Sequence, residues 1–207
     1  MTFIPRISLL LCLSVALAGC STVASLPLSA YYAAITTDEH PVAAVAPQDL
    51  DLRNLRQVVP YRSAFEPGTL VVDTKQRFLY LVQDNGVAMR YGIGVGREGM
   101  AFSGRAVVGD KRRWPSWTPT PAMLAREPER YGQYAGGVPG GPANPLGARA
   151  LYLFQNGRDT LFRIHGTTEP WSIGKASSSG CIRMINQDVI DLYERVETGA
   201  SVVVIQG

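Results

Sequence analysis

The most informative stretch of this chain is His165-Gly166-Thr167-Thr168-Glu169-Pro170-Trp171-Ser172-Ile173-Gly174, continued by Ser178-Ser179-Gly180-Cys181-Ile182-Arg183-Met184. It holds the only cysteine and the only histidine beyond the N-terminal region of a chain with 3 Cys and 2 His in all. A lone thiol in an exported protein has no disulfide partner and is open to oxidation, so its presence points to reactivity. A histidine folded back beside it is a base for that thiol. Taken singly, each residue also fits an inert packing role, because a free Cys packs as a small hydrophobe. The Gly180-Cys181 pair with Arg183 two residues on turns the reading towards chemistry.

The segments on either side of the stretch read as strands and one helix. Ala150-Leu151-Tyr152-Leu153-Phe154 and Leu161-Phe162-Arg163-Ile164 are β-rich runs joined through Asn156-Gly157. His165 therefore falls at a strand end, where a side chain faces a cleft yet is fixed by the sheet. Downstream, Val189, Leu192, Tyr193 and Val196 recur at helical spacing, with Asn186 as N-cap and Asp188 in the first turn. Gly199 closes that helix, and Ser201-Val202-Val203-Val204-Ile205 follows as a buried strand. Further upstream, Thr69-Leu70-Val71-Val72-Asp73, Phe78-Leu79-Tyr80-Leu81-Val82 and Val87-Ala88-Met89-Arg90-Tyr91 predict an antiparallel meander, with Asp84-Asn85-Gly86 as a hairpin turn. Leu52, Leu55 and Val59 predict a short helix over 48–59, ended by Pro60.

Two other stretches invite a functional reading. Gly94-Val95-Gly96-Arg97-Glu98-Gly99 matches G-x-G-x-x-G, but hairpin-linked strands precede it and no helical pattern follows, so a dinucleotide site is rejected. Residues 103–121 carry Lys111, Trp114 and Trp117, which suit either a substrate groove or surface-loop packing. Residues 131–145 form a Gly- and Pro-rich loop of the kind that serves as a lid.

His165-Gly166-Thr167, Ser172-Ile173-Gly174 and Ser178-Ser179-Gly180-Cys181-Ile182-Arg183-Met184 resemble the signature of the L,D-transpeptidase catalytic domain, the YkuD/ErfK family. The resemblance covers roughly residues 67–207 and includes Asn144-Pro145-Leu146-Gly147. It implies a mainly β fold, a sandwich or open barrel with long loops and a short helix after the catalytic Cys. It implies Cys181 as nucleophile, His165 as base and the Gly166 carbonyl as the group that orients His165. The donor it implies is a peptidoglycan tetrapeptide stem that loses D-Ala through a thioester. The acceptor is an amine on another stem or on an envelope protein, such as an outer-membrane protein. Ser179 stands where the family commonly has His, so the base role falls on His165 alone.

The backbone N–H groups of Gly180 and Cys181 are expected to form the oxyanion hole. Arg183 is expected either to fix a substrate carboxylate or to brace its loop. Ser179, Trp117 and Tyr152 complete the expected substrate-binding set. No cofactor is implied, and two His with one usable Cys cannot build a zinc site from the usual ligands. Hydrolysis of the same bonds, as an L,D-carboxypeptidase, and non-catalytic peptidoglycan binding by a lipoprotein stand as the alternatives.

The N-terminus places the protein. Arg6 precedes a short apolar run over 7–17, the pattern of an export signal. Leu17-Ala18-Gly19-Cys20 resembles a bacterial lipobox, which would put lipid on Cys20, the alternative being an ordinary signal cut near Ala18 with Cys20 a spare thiol; Cys12 is expected to leave with the signal. The expected division is a lipoprotein signal over 1–19, a linker and lead-in over 20–66, and the catalytic domain over 67–207. Ser21, not Asp, follows Cys20, which points to the periplasmic side of the outer membrane. His40 reads as a solvated linker residue. A net charge of +3, scattered along the chain, argues against nucleic acid as partner. No segment beyond the start is long enough to span a bilayer.

Overall fold

The computed structural model describes residues 28–49, 51–96, 102–178 and 180–206. The expected signal, the expected lipobox with Cys20, and Ser179 lie outside them. The first strand, β1 (Gln57–Pro60), leads into the expected meander β2 (Leu70–Asp73), β3 (Phe78–Val82) and β4 (Val87–Gly92). A two-residue β5 (Val95–Gly96) and a ten-residue β6 (Gly104–Arg113) follow. Two short helices, α1 (Pro121–Arg126) and α2 (Pro128–Tyr131), fill the next loop. Then come β7 (Arg149–Gln155), β8 (Arg158–His165), β9 (Ala176–Ser178), β10 (Ile182–Arg183), the helix α3 (Asn186–Arg195) and β11 (Ser201–Ile205).

Nine strands form one mixed sheet in the order β1-β4-β3-β2-β11-β6-β7-β8-β10; β5 and β9 pair separately. The pairs β2–β11 and β8–β10 are parallel, and the other pairs of the large sheet are antiparallel. Leu70, Leu79, Val108, Leu151, Ile164 and Val202 join Val189 and Leu192 of α3 in one buried cluster. The sheet thus curls around a core that α3 plugs. Phe78 to Val82 are all buried because the meander is covered on both faces. Its outer face packs Val71, Phe78 and Tyr80 under Val59, Tyr61 and Phe65, with Tyr61 stacked on Tyr80 at 4.5 Å. A strand buried on both faces reads as a continuous apolar run, as this one does.

The structure departs from the sequence reading in three places. No helix forms over 48–59: Pro47–Asp49 and Leu52–Asn54 are single 3-10 turns, and Gln57–Pro60 is a strand on β4. Leu52 is exposed while Leu55 is buried, so the two do not share one buried helical face, and the β-branched Val58 and Val59 suit a strand. The linker expected from residue 21 is packed structure from residue 28. Tyr32 and Val42 are buried, Gln187 donates to the carbonyls of Ala33 and Ala43, and the Asp38 carboxylate accepts from buried Arg149 at 2.5 Å. His40 is only half-buried, with its ring edge against Trp114 at 5.0 Å. Asn186 is the first helical residue rather than the N-cap, which is Ile185.

Candidate active site

His165 closes β8, and two backbone bonds fix it there: Met184 N–H donates to its carbonyl at 2.8 Å, and Gly166 N–H donates to Arg149 at 3.1 Å. Its Nδ1 lies 2.6 Å from the Gly166 carbonyl oxygen. A carbonyl only accepts, so Nδ1 carries the proton and the neutral ring leaves Nε2 as a free base. The ring is 5 % exposed. Burial pushes its pKa down to about 4, aided by the Arg183 and Arg163 cations and opposed by the Gly166 and Leu146 carbonyls. The imidazole is therefore neutral and able to take a proton at neutral pH.

The β8–β10 register sets the segment that follows Cys181 beside the end of β8 that carries His165. Arg183 pairs with His165 and Ile182 with Ile164 in parallel. Residues two apart on a strand share a face. Arg183, His165 and Arg163 thus share one face, Ile164 and Ile182 point into the core, and Cys181 directly precedes β10. Cys181 is half-buried, with its sulfur 4.0 Å from the Leu161 carbonyl. Burial pushes the thiol pKa up; the Arg163 backbone N–H and the Arg163 and Arg183 charges pull against it. Leu161 sits at a bulge between β7 and β8 with φ 65°, a left-handed conformation that leucine rarely adopts. Nothing in the local sequence marks Leu161 for this place.

Ser178 is a second residue that sequence reasoning missed. Its buried hydroxyl donates to the Cys181 carbonyl at 2.6 Å and accepts from Gly180 N–H at 3.2 Å. The Gly180 N–H, expected in the oxyanion hole, is thus turned to Ser178. The Cys181 N–H is left without a partner among the described residues. Gly180 takes φ 131°, and Gly96 of β5 presses so near that a Cβ there would stand 2.8 Å from the Gly180 Cα. Gly94 and Gly96 therefore serve close approach to the nucleophile turn rather than a phosphate.

A shell around Gly166 holds the base. Gly147, at φ 63°, packs directly on Gly166, and a Cβ on either residue would collide with the Asn186 side-chain oxygen. That oxygen accepts from Ala148 N–H at 3.0 Å, while Asn186 Nδ2 donates to Thr167 at 3.0 Å. Asn144 orders the preceding turn by accepting from Leu146 N–H at 2.9 Å and donating to Pro139 at 2.9 Å. The stretch 144–147 is therefore the backing of His165.

The other expected residues divide. Arg183 pairs with Glu169 at 2.8 Å and exchanges backbone bonds with Gly94, so in this structure it braces the 166–175 loop. Tyr152 pairs with Arg163 across β7–β8, on the same face as His165, and lies between the guanidiniums of Arg163 at 4.1 Å and Arg112 at 4.7 Å. Trp117 bridges to Val138 at the base of the α1–α2 loop and packs edge-on against Tyr131 and Tyr134. Among the described residues no three His, Cys, Asp or Glu side chains converge as metal ligands.

Residues 67–205 match the family described as the L,D-transpeptidase catalytic domain, YkuD. The probable L,D-transpeptidase ErfK/SrfK of Escherichia coli K12 is 35% identical over 140 residues, which cover 67% of this chain and 44% of that protein. The probable L,D-transpeptidase YbiS of the same organism is 32% identical over 151 residues, 72% of this chain and 48% of that protein. The chain thus spans less than half the length of either relative. A crystal structure from Brucella melitensis, described as a probable carnitine operon oxidoreductase CaiA, is 53% identical, covers 72% of this chain and 92% of its own, and superposes with a TM-score of 0.50.

Proposed function

This chain belongs to the L,D-transpeptidase catalytic domain family, and from that premise we propose that it transfers a peptidoglycan stem peptide through a thioester on Cys181. His165 Nε2 takes the thiol proton as sulfur attacks the carbonyl that precedes the terminal D-Ala. A C–S bond forms, the C–N bond to D-Ala breaks, and the imidazolium returns its proton to the departing amine. An acceptor amine then attacks the thioester, with the same imidazole taking its proton, and the thiol is restored. The Cys181 N–H stabilises the oxyanion at each attack. The observation that carries this reading is the fixed tautomer: Nδ1 is held by Gly166, which leaves Nε2 as the basic nitrogen, at the strand end beside the segment that Cys181 leads into. Tyr152 and Trp117 are the proposed donor-binding aromatics, and Ser179 the proposed neighbour of the acyl group.

The test is product analysis with a purified tetrapeptide stem, with and without an amine acceptor. A cross-linked product from the wild type and none from Cys181→Ala is expected. Cleaved stem alone in the presence of amine would mark a hydrolase, and turnover by Cys181→Ala would remove the thioester.

We further propose that residues 1–19 are a lipoprotein signal and that Cys20 carries the anchor, holding the domain on the periplasmic side of the outer membrane. Its acceptors there are other stems or outer-membrane proteins. Intact mass of the membrane-extracted protein should include acyl chains that are lost in Cys20→Ala; recovery of a soluble, unmodified chain would refute the anchor.

A further inference from the structure

The loop between base and nucleophile carries Glu169, which holds Arg183 beside His165. Two residues on, in the 3-10 turn Pro170–Ser172, Trp171 is 52% exposed. It borders a cleft of about 300 Å³ that Gln48, Asp49, Gln76, Arg77 and Lys175 also line. That volume is at the lower end for small-ligand sites, about 300–1,000 Å³. The active-site stretch and the packed N-terminal segment build the cleft jointly. Asn54, buried, donates to the Ile173 carbonyl at 3.5 Å, and Gly174 lies against its amide.

The lining specifies the chemistry of an occupant. Asp49 and Asp51 oppose Arg53, Arg77 and Lys175, so the cleft offers no single sign of charge to an ion. Side-chain amides, a carboxylate and cations together offer both donors and acceptors, which suits a neutral ligand rich in hydroxyl and amide groups. The indole N–H of Trp171 and the side chains of Gln48, Asp49 and Lys175 make no hydrogen bond within the described residues. An exposed indole face beside such groups fits the C–H face of a pyranose, the apolar body and polar tip of Trp serving both parts of a sugar.

We infer that this cleft is a glycan subsite, binding an N-acetylated hexosamine of the strand whose stem peptide reacts at Cys181. The inference rests on the acyl-transfer reading for the identity of the strand, but its first test does not need turnover. Cys181→Ala protein is titrated with the neutral disaccharide of two N-acetylglucosamine units and followed by calorimetry. Saturable binding is expected, lost on adding Trp171→Ala and partly kept with Trp171→Phe. No saturable binding, or equal binding without the indole, would overturn the subsite. In a second arm, the active enzyme is given the disaccharide-tetrapeptide and the free tetrapeptide. Its preference for the glycan-bearing donor, as a kcat/KM ratio, should fall about tenfold in Trp171→Ala, the scale of one stacking contact; an unchanged ratio counts against the subsite. If the wild type turns over neither donor, the acyl-transfer reading fails while the binding arm still decides the cleft.

Discussion

The Nδ1–H of His165 donates to the carbonyl of its own neighbour, Gly166, across 2.6 Å. A backbone oxygen thus does what a carboxylate does in many nucleophile–base pairs, and it adds no negative charge. An imidazolium beside it gains less than one beside a carboxylate, so the ring stays neutral at rest, and burial of the thiol outweighs the Arg163 and Arg183 groups that favour a thiolate.

The pH dependence of thiol reactivity tests this arrangement. Burial raises the Cys181 thiol and lowers His165 to about 4. Between those values the resting pair is neutral thiol with neutral imidazole, and the two titrate as a coupled pair. Alkylation by iodoacetamide should be slow at pH 6 and climb with pH to an apparent pKa above that of a free thiol. A rapid plateau across pH 5–7, the mark of a thiolate–imidazolium pair, would show that the assignment is wrong.

Two buried groups act on stability in opposite directions. His165 falls from 6.5 to about 4 when folded. Its contribution is full above pH 6.5 and lost as pH falls towards 4, about 3 kcal/mol. Asp188, 0% exposed, rises from 3.8 to about 7 because burial outweighs Arg56 at 3.8 Å and the Tyr32 hydroxyl. Its contribution is full below 3.8 and lost as pH rises through 7, about 4 kcal/mol. The two nearly cancel in the wild type between pH 5 and 6.5. Urea melts should therefore show stability rising with pH in Asp188→Asn and falling with pH in His165→Gln. The other carboxylates are common to all three proteins, so parallel slopes in the two variants would rule the linkage out.

What the sequence disclosed and what it hid follow from the range of the forces involved. β2, β3, β4, β7, β8, β11 and α3 rest on alternation, helical spacing and turn chemistry within a few residues, and all were legible. β6 was not. Ala106 and Val108 face the core, but a bulge at Gly109 breaks the alternation, and the Lys111 side chain then reaches under Tyr193 to Val196. The glycine is required there because a Cβ would strike the Phe154 ring. Residues 28–49 look like a linker because their partners are more than a hundred positions away, as in Tyr32 with Asp188 and Asp38 with Arg149. At the candidate site, Cys181 and His165 stand out in the sequence because few residue types do the chemistry proposed for them. Ser178 and Leu161 act through backbone geometry, which leaves no compositional trace.

The Asp38–Arg149 pair makes the N-terminal segment part of the domain. Arg149 is 2% exposed, and Asp38 also accepts from Trp114 Nε1 at 2.9 Å. Burial alone would raise the Asp38 carboxyl, but these bonds hold it well below the usual carboxylate range. Asp38→Ala strands a buried guanidinium and should destabilise the protein by about 3–5 kcal/mol. The double variant Asp38→Leu with Arg149→Met should recover much of that. A loss under about 0.5 kcal/mol in Asp38→Ala, the scale of an ordinary surface change, would mean that the segment is dispensable.

Asn186 is the last and most direct test of how the base is held. Sequence position makes it look like a helix cap, but both ends of its amide are spent on the Ala148 N–H and the Thr167 carbonyl, on either side of Gly166. It touches neither His165 nor Cys181 among the described contacts, so it acts by fixing the carbonyl that fixes the ring. Asn186→Ala frees Gly166 and Gly147 to shift, and a displacement near 1 Å costs about a hundredfold in rate. The expected result is kcat lowered roughly 10- to 100-fold with KM little changed, and stability reduced by about 1–3 kcal/mol for the unpaired backbone groups. Asn186→Asp keeps the acceptor to Ala148 but loses the donor to Thr167 and should fall between wild type and Ala. The acidic limb of the kcat profile, set by His165, should also move upward in Asn186→Ala as a looser ring gains solvent. Wild-type kcat in a folded Asn186→Ala would assign the positioning of His165 to the Gly147–Gly166 contact alone.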